Sequence, residues 1–328
     1  MRPYNYVNSY YLAIYFPSQM LFFRCFSQPL FYMWFNIILM KRTALKIGYI
    51  GTNFHGFQRQ PDLRTVEEEL IYHLRKLDYI DDLKKSRFRI AGRTDAGVHS
   101  LGNVISFQSD KEVRVNEINN SLPDDIQILA KAPVRYAFKP RYAQMRQYRY
   151  MLFQDLDIDK LRECAEVFKG THNFTNFTKR FQKTTTRTID DIKISKVDLT
   201  DYHKREFPNL HDTLSPIFVD IYGESFLWNM VRKMMRVFVD VAIGKMTLDE
   251  VERLLDPAED EPRANIKVME AEYLILMDIQ YDGIKFKYDD YACERFRRDL
   301  VDSLSDLQRK YAIRESMIKS LKDLHTWE

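Results

Sequence analysis

Apolar residues recur at helical spacing from Val66 to Leu77, at Val66, Leu70, Ile71, Leu74 and Leu77. Glu67, Glu68 and Glu69 fill the first turn of that segment, where the helix dipole favours anions. The clearest such pattern runs from Phe226 to Ile243, with Ser225 as its expected N-cap and Gly244 as its stop. Shorter helices are expected at Lys160 to Phe168 and Leu248 to Leu255, and a charged amphipathic helix or helix pair at Tyr291 to Leu324. Strand patterns fall at Ala44 to Ile50, Phe88 to Gly92, Asn103 to Phe107, Ile126 to Val134, Gln147 to Phe153, Ile189 to Val197, Pro216 to Tyr222 and Tyr273 to Tyr281. Tyr148, Tyr150 and Leu152 share one face of the fifth. Several neighbouring strands have no helix between them, which favours an α+β fold with mainly antiparallel sheet over a doubly wound parallel one.

At 328 residues the chain suits two packed subdomains, and its 10 glycines and 11 prolines are too few for a linker-dominated or collagen-like protein. A division near residue 145 gives an N-terminal α+β half (40–145), a C-terminal α+β half (146–290) and a helical extension (291–328). Residues 1–39 stand apart, with 13 aromatics, no acid, and Arg2 and Arg24 as their only cations. Pro3, Pro17, Arg24 and Pro29 interrupt the apolar stretches, so this segment makes a poor secretory signal or membrane span. Its composition is that of translated AT-rich DNA, and the expectation is a start at Met40, with a membrane-surface anchor as the alternative.

Cys25, Cys164 and Cys293 are odd in number and far apart, which excludes a disulfide framework and a local zinc site and fits a reducing cytoplasm. A net charge of +3 identifies no partner, but the cations are segregated. They cluster at Lys84, Lys85, Arg87, Arg89 and Arg93, at Arg135, Lys139, Arg141, Arg146 and Arg149, and at Lys179, Arg180, Lys183 and Arg187, while acids concentrate from Asp249 to Glu261. Such a chain can present a basic cleft.

The segment Ala91-Gly92-Arg93-Thr94-Asp95-Ala96-Gly97-Val98-His99 is too short and glycine-punctuated for a helix, and places a carboxylate on a tight loop between strands. An aspartate so placed can serve as nucleophile or general base, and on its own such a loop is also ordinary turn chemistry. Pairing Asp95 with His99 around a metal lacks a second nearby carboxylate or histidine.

This segment resembles the signature loop of the TruA family of tRNA pseudouridine synthases, and four further blocks are similar in family order. They are Gly51-Thr52-Asn53-Phe54-His55-Gly56-Phe57-Gln58-Arg59-Gln60, Arg146-Gln147-Tyr148-Arg149-Tyr150, Gly170 to Phe177 with Thr186 to Ile189, and Ser225-Phe226-Leu227-Trp228-Asn229-Met230-Val231-Arg232. The resemblance spans about residues 45 to 280. It implies a pseudouridine synthase-like fold, two α/β subdomains flanking a basic catalytic cleft. It also implies isomerisation of uridine to pseudouridine in the tRNA anticodon stem-loop, at about positions 38 to 40, after the base is flipped from its stack.

By the same resemblance Asp95 is the nucleophile, attacking C1′ or the base, and Arg232 is its ion-pair partner. Tyr148 stacks on the target base, and Arg93 holds or displaces the flipped nucleotide, with Arg149 and Tyr150 as supporting substrate contacts. No cofactor and no metal are implied. The partners expected are tRNA and a second copy of the chain in a homodimer, with no membrane. Two departures from the family pattern stand at Ile50, where an acid is usual, and at Arg236, where glycine is common. The competing readings are a catalytically silent RNA-binding module and a membrane-anchored protein resting on residues 1–39.

Overall fold

The computed structural model describes residues 10–16, 19–25, 41–179, 184–197, 215–258 and 262–324. Arg180, Lys183, residues 259–261 of the acidic run and much of the 1–39 extension lie outside the described residues. Within the extension, β1 (Tyr10–Phe16) and β2 (Gln19–Cys25) form an antiparallel hairpin.

The N-terminal half comprises β3 (Lys41–Tyr49), α1 (Val66–Lys76), β4 (Arg89–Ile90), β5 (His99–Ser109), α2 (Val115–Asn119) and β6 (Ile126–Pro133). The C-terminal half begins with β7 (Met145–Leu152) and α3 (Ile158–Phe168). A small ribbon follows, β8 (Gly170–Asn173) paired with β9 (Thr186–Ile189), and then β10 (Asp191–Lys196) and β11 (Ile217–Gly223). After α4 (Met230–Ala242) and α5 (Leu248–Leu255) come β12 (Leu274–Gln280), β13 (Lys287–Tyr288) and one long helix, α6 (Asp290–Leu324).

The strands of both halves join in one sheet, ordered β10-β11-β7-β12-β5-β3-β6-β13, with β4 paired to β5. Every pair is antiparallel except β12 with β5, so the mixed, mainly antiparallel character expected from the strand pattern holds. That parallel contact is the seam between the halves. Gly102 permits it, because a Cβ there would lie 2.6 Å from backbone atoms of Met277 and Asp278. Buried Lys46 of β3 pairs with Asp278 across the same seam.

Two main cores lie against the sheet. Leu70, Ile71 and Leu74 of α1 bury their stripe against Ile47, Ile105, Phe107 and Ile128. In the other half, α3 and α4 bury Phe168, Met234 and Phe238 against Tyr150, Val219 and Ile221. A smaller cluster, including Ala44, Val104, Leu276 and Tyr281, covers the remaining face of the N-terminal strands. This second cover explains why β3 and β5 are buried almost continuously instead of alternating.

Helix α4 departs from the expected start. Ser225 does not cap it; the helix opens at Met230, with Asn229 as N-cap in the left-handed region at φ 62°. The segment from Ser225 to Trp228 is instead an irregular lead-in whose aromatic rings serve the cleft. The C-terminal end matches expectation, with Gly244 at φ +73° and its N–H donating to the Val241 carbonyl.

Candidate active site

The loop from Gly92 to Val98 leaves β4 and returns into β5, and buried hydrogen bonds fix its course. Asn103 Nδ2 donates to the Gly92 carbonyl and to the Tyr49 hydroxyl, each at 3.2 Å. The Tyr49 hydroxyl lies 2.9 Å from Thr94 Oγ1. Phe57 N–H donates to the Thr94 carbonyl, and Val98 N–H to the Asp95 carbonyl. Gly51 packs directly against the loop's exit, where a Cβ would fall 2.2 Å from the Val98 carbonyl oxygen. The Gly51 to Gln60 block therefore acts at least partly as a brace that holds the loop.

Asp95 projects from this brace into an open cleft of about 600 Å³. One wall is Phe88 to Asp95, the other is Phe226 to Arg232, and Tyr148, Val98 and Leu274 lie between them. Arg89, Arg93 and Arg141 supply cations to its lining. Arg232 Nη1 donates to Asp95 Oδ2 at 3.0 Å, and Trp228 Nε1 donates to Asp95 Oδ1 at 2.9 Å. The Asp95 side chain keeps 27% of its surface exposed, enough to meet a ligand without surrendering either bond. Each carboxylate oxygen has two lone-pair sites, so the two donors leave one on each oxygen for the cleft.

Arg232 is itself fixed, with Nε donating to the Met269 carbonyl at 2.7 Å and Nη1 to Asn229 Oδ1 at 3.3 Å. It stands on the first turn of α4, a rigid mount for a carboxylate partner. Tyr148 lines the cleft, its ring edge-on to Phe226 at 5.1 Å. Burial pushes its hydroxyl above the usual phenol range, Arg146 opposes that and Asp95 adds to it, so the ring is neutral at physiological pH.

Other expected contacts stand elsewhere. Tyr150 shares the Tyr148 face of β7 but is fully buried in the C-terminal core, with its hydroxyl donating to the Glu270 carbonyl at 3.0 Å. Arg149 lies on the opposite face, in a two-pronged ion pair with Asp220 at 2.9 and 2.8 Å. Neither lines the cleft. Of the six candidates the structure therefore gathers Asp95, Arg232, Tyr148 and Arg93 around one cavity, with Arg93 exposed at its lip.

Two participants were not singled out from sequence. Trp228 is the second anchor of Asp95; its signal was a donor-bearing ring one helical turn before Arg232. Arg146 is almost fully buried, and its guanidinium donates to the carbonyls of Glu224, Ala91 (3.2 Å) and Arg141 (2.9 Å). It thus pins both cleft walls to β7.

His99 joins the halves behind the loop. Gly51 N–H donates to its Nδ1 at 3.1 Å, and its Nε2 lies 3.1 Å from the Glu272 carbonyl, the geometry of a neutral Nε2–H tautomer. Both ring nitrogens are engaged, which removes them from metal binding, and no group of three or more potential His, Cys, Asp or Glu ligands occurs among the described residues. Burial holds the His99 pKa below its ordinary 6.5. The unfolded chain then takes up the proton first, so this contribution to stability is complete above about 6.5 and is lost as pH falls through the lowered folded value. The melting temperature is expected to fall on acidification below that point, and less steeply in His99→Gln. His73, also lowered by burial, carries part of the remaining slope. Equal slopes in the two proteins would refute the assignment to His99.

A family model described as tRNA pseudouridine synthase matches residues 164–282. Among curated relatives, the chain is 87% identical over 286 residues to tRNA pseudouridine synthase A of Methanobrevibacter smithii, covering 87% of this chain and 99% of that protein. It is 42% identical over 292 residues to the protein of the same name from Methanothermobacter thermautotrophicus, covering 88% and 99%. The counterpart from Thermococcus sibiricus is 40% identical over 285 residues, covering 85% and 100%.

Proposed function

The chain belongs to the TruA family of tRNA pseudouridine synthases, and on that premise we propose that it isomerises uridine in the anticodon stem-loop with Asp95 as nucleophile. The observation that carries this reading is the Asp95 carboxylate, held at one oxygen by Arg232 and at the other by Trp228 while still facing the cleft.

The reaction breaks N1–C1′, rotates the uracil and forms C5–C1′; C5 loses a proton and N1 gains one, so the product is an isomer. Attack at C1′ and attack at the base both need an ionised carboxylate beside the flipped nucleotide. Arg232 places a positive charge against one carboxylate oxygen, and Trp228 a neutral donor against the other. Tyr148 offers a planar face for the uracil, where stacking contributes about 1–3 kcal/mol per base. Arg93 at the lip is placed to meet the phosphate or the vacated stack.

The test is tritium release from tRNA carrying 5-tritiated uridine, since C5 must surrender its hydrogen as the new bond forms. Release is expected from the anticodon-arm uridines. Loss of the label elsewhere, with that arm unmodified, would overturn the positional part of the reading.

Trp228→Phe keeps an aromatic ring and deletes the N–H. A hydrogen bond to a charged group contributes about 1.5–3 kcal/mol, so the single-turnover rate is expected to fall roughly ten- to a hundred-fold. tRNA affinity should be retained. An unchanged rate would make the indole a wall and nothing more.

The same reading takes residues 40–145 and 146–290 as the two subdomains, 1–39 and 291–328 as extensions, and a cytoplasmic homodimer as the working form. Among the described residues no helix is long and apolar enough to cross a membrane. Sedimentation at micromolar concentration tests the dimer.

A further inference from the structure

Two of the chain's acid-free stretches lie between Asp82 and Asp95 and between Asp125 and Asp155. The structure lays parts of both between the catalytic cleft and a second cavity. Residues 87–93 run from Arg87, whose guanidinium sits 3.7 Å over the Tyr136 ring, to Arg89 and Arg93 in the cleft lining. Residues 134–141 run from Val134 and Tyr136, which line the second cavity, to Arg141 in the cleft.

The second cavity, about 470 Å³, is lined by the cations Lys41, Arg42, Lys111 and Lys131, by one acid, Glu112, and by Tyr136 and Gln108 among others. Gln108 is nine residues along β5 from His99, so this cavity lies on the order of 30 Å from the brace behind Asp95 at ~3.3 Å per residue.

Arg42, Lys131, Lys139 and Arg141 are held by groups that do not neutralise them. Arg42 is buried, and its guanidinium donates to the carbonyls of Tyr136 and Arg87 (3.3 Å each) and to Ser106 Oγ (3.0 Å). No carboxylate lies within ion-pair distance of it among the described residues. Burial chiefly, with Arg87 and Arg89 adding to it, pushes its pKa below the ordinary guanidinium value. Lys131 Nζ donates to the Val113 carbonyl at 2.8 Å. Arg141 and Lys139 lie against the ring of Tyr142, at 5.0 and 5.8 Å. Tyr136 and Tyr142 are themselves well exposed. Exposed rings interleaved with uncompensated cations are the surface a nucleic-acid backbone fits, and an acidic protein face would not call for the rings.

We propose that this predominantly basic track, from Arg93 along Arg89 and Arg87 to the Arg42–Lys41–Lys131 cavity, is a second RNA-binding site that grips the tRNA backbone beyond the target stem. The inference rests on the anticodon-arm reading above: the cleft takes that arm, and the track takes phosphates of the rest of the molecule. Specificity for whole tRNA over a short hairpin then arises from contacts that extend from the cleft lip to about 30 Å from the brace behind Asp95, about the length of β5.

The test compares the native enzyme with the triple variant Lys41→Gln, Arg87→Gln, Lys139→Gln. None of the three lines the catalytic cleft. Binding is measured against unmodified full-length tRNA and against the isolated anticodon stem-loop, over a range of salt. Each phosphate contact adds about 0.7–0.9 to the log–log salt slope, so the variant's slope on whole tRNA should fall by roughly 2, with at least about a ten-fold loss of affinity. Stem-loop binding and turnover should be unchanged, which also shows that the variant is folded. Unchanged affinity for whole tRNA, or a parallel loss on both RNAs, would overturn the track. Native enzyme that converts whole tRNA at other uridines and leaves the stem-loop untouched would count against the anticodon-arm reading, while the salt slope on whole tRNA would still decide the track.

Discussion

Asp95→Asn is expected to abolish tritium release while leaving tRNA bound. The substitution preserves shape and volume, so the loop braced by Asn103, Tyr49 and Gly51 should keep its course. It removes the charge, and an amide has one acceptor oxygen where the carboxylate has two. If that oxygen stays with Arg232, the amide NH2 faces the Trp228 N–H, donor against donor. Neither orientation satisfies both neighbours, so a loss of about 1 kcal/mol in stability accompanies the loss of chemistry. Removing a residue that acts as nucleophile lowers rates by roughly four to six orders of magnitude. Affinity for tRNA should hold or rise slightly, because the variant deletes a negative charge from a cleft that receives phosphates. Single-turnover release within about ten-fold of native enzyme would remove Asp95 from the nucleophile role.

The contrast between Asp95 and Trp228 marks where the sequence became silent. Asp95 and Arg232 stand 137 residues apart and were paired through the motifs that surround them; the structure brings their side chains to 3.0 Å. Trp228 sat inside one of those motifs, yet apolar periodicity runs unbroken through Phe226 to Asn229 and reads as helix. The left-handed turn at Asn229 delays the helix start to Met230 and frees the indole to face the cleft. A local backbone choice of that kind leaves no trace in hydrophobic spacing.

Alternation along β7 placed Tyr148 and Tyr150 on one face but said nothing of depth. Two residues further in, Tyr150 lies opposite Val219 and Leu274 and is enclosed. The partner of Arg149 was equally hidden, since Asp220 comes from a strand 71 residues away. The longer helices and strands of the two halves were legible from their apolar patterns, whereas the short elements α2, β8 and β13 carry too few residues to show one. The joining of the halves into one sheet was not, because it depends on β12, distant in sequence, slotting between β7 and β5.

Arg232→Gln should lower the single-turnover rate by roughly a hundred- to a thousand-fold, the range seen when one preorganised electrostatic contact is deleted. The glutamine amide can still donate one neutral hydrogen bond, but it carries no charge and cannot reach Asp95, Asn229 and the Met269 carbonyl together. Two effects then separate. Losing the contact with Met269 loosens the segment before β12 and lowers stability by about 1 kcal/mol, read as a drop in melting temperature. Losing the charge leaves Asp95 with Trp228 as its only anchor, and that is read as rate. Arg232→Lys restores charge without the planar fork, so it should recover part of the rate and little of the stability. A purely structural role for Arg232 predicts the reverse, with rate following melting temperature across the two variants. Because the pair is partly exposed, at 17% and 27%, its attraction alone is modest in energy. Its effect on rate comes instead from the position in which it holds the carboxylate when uridine arrives.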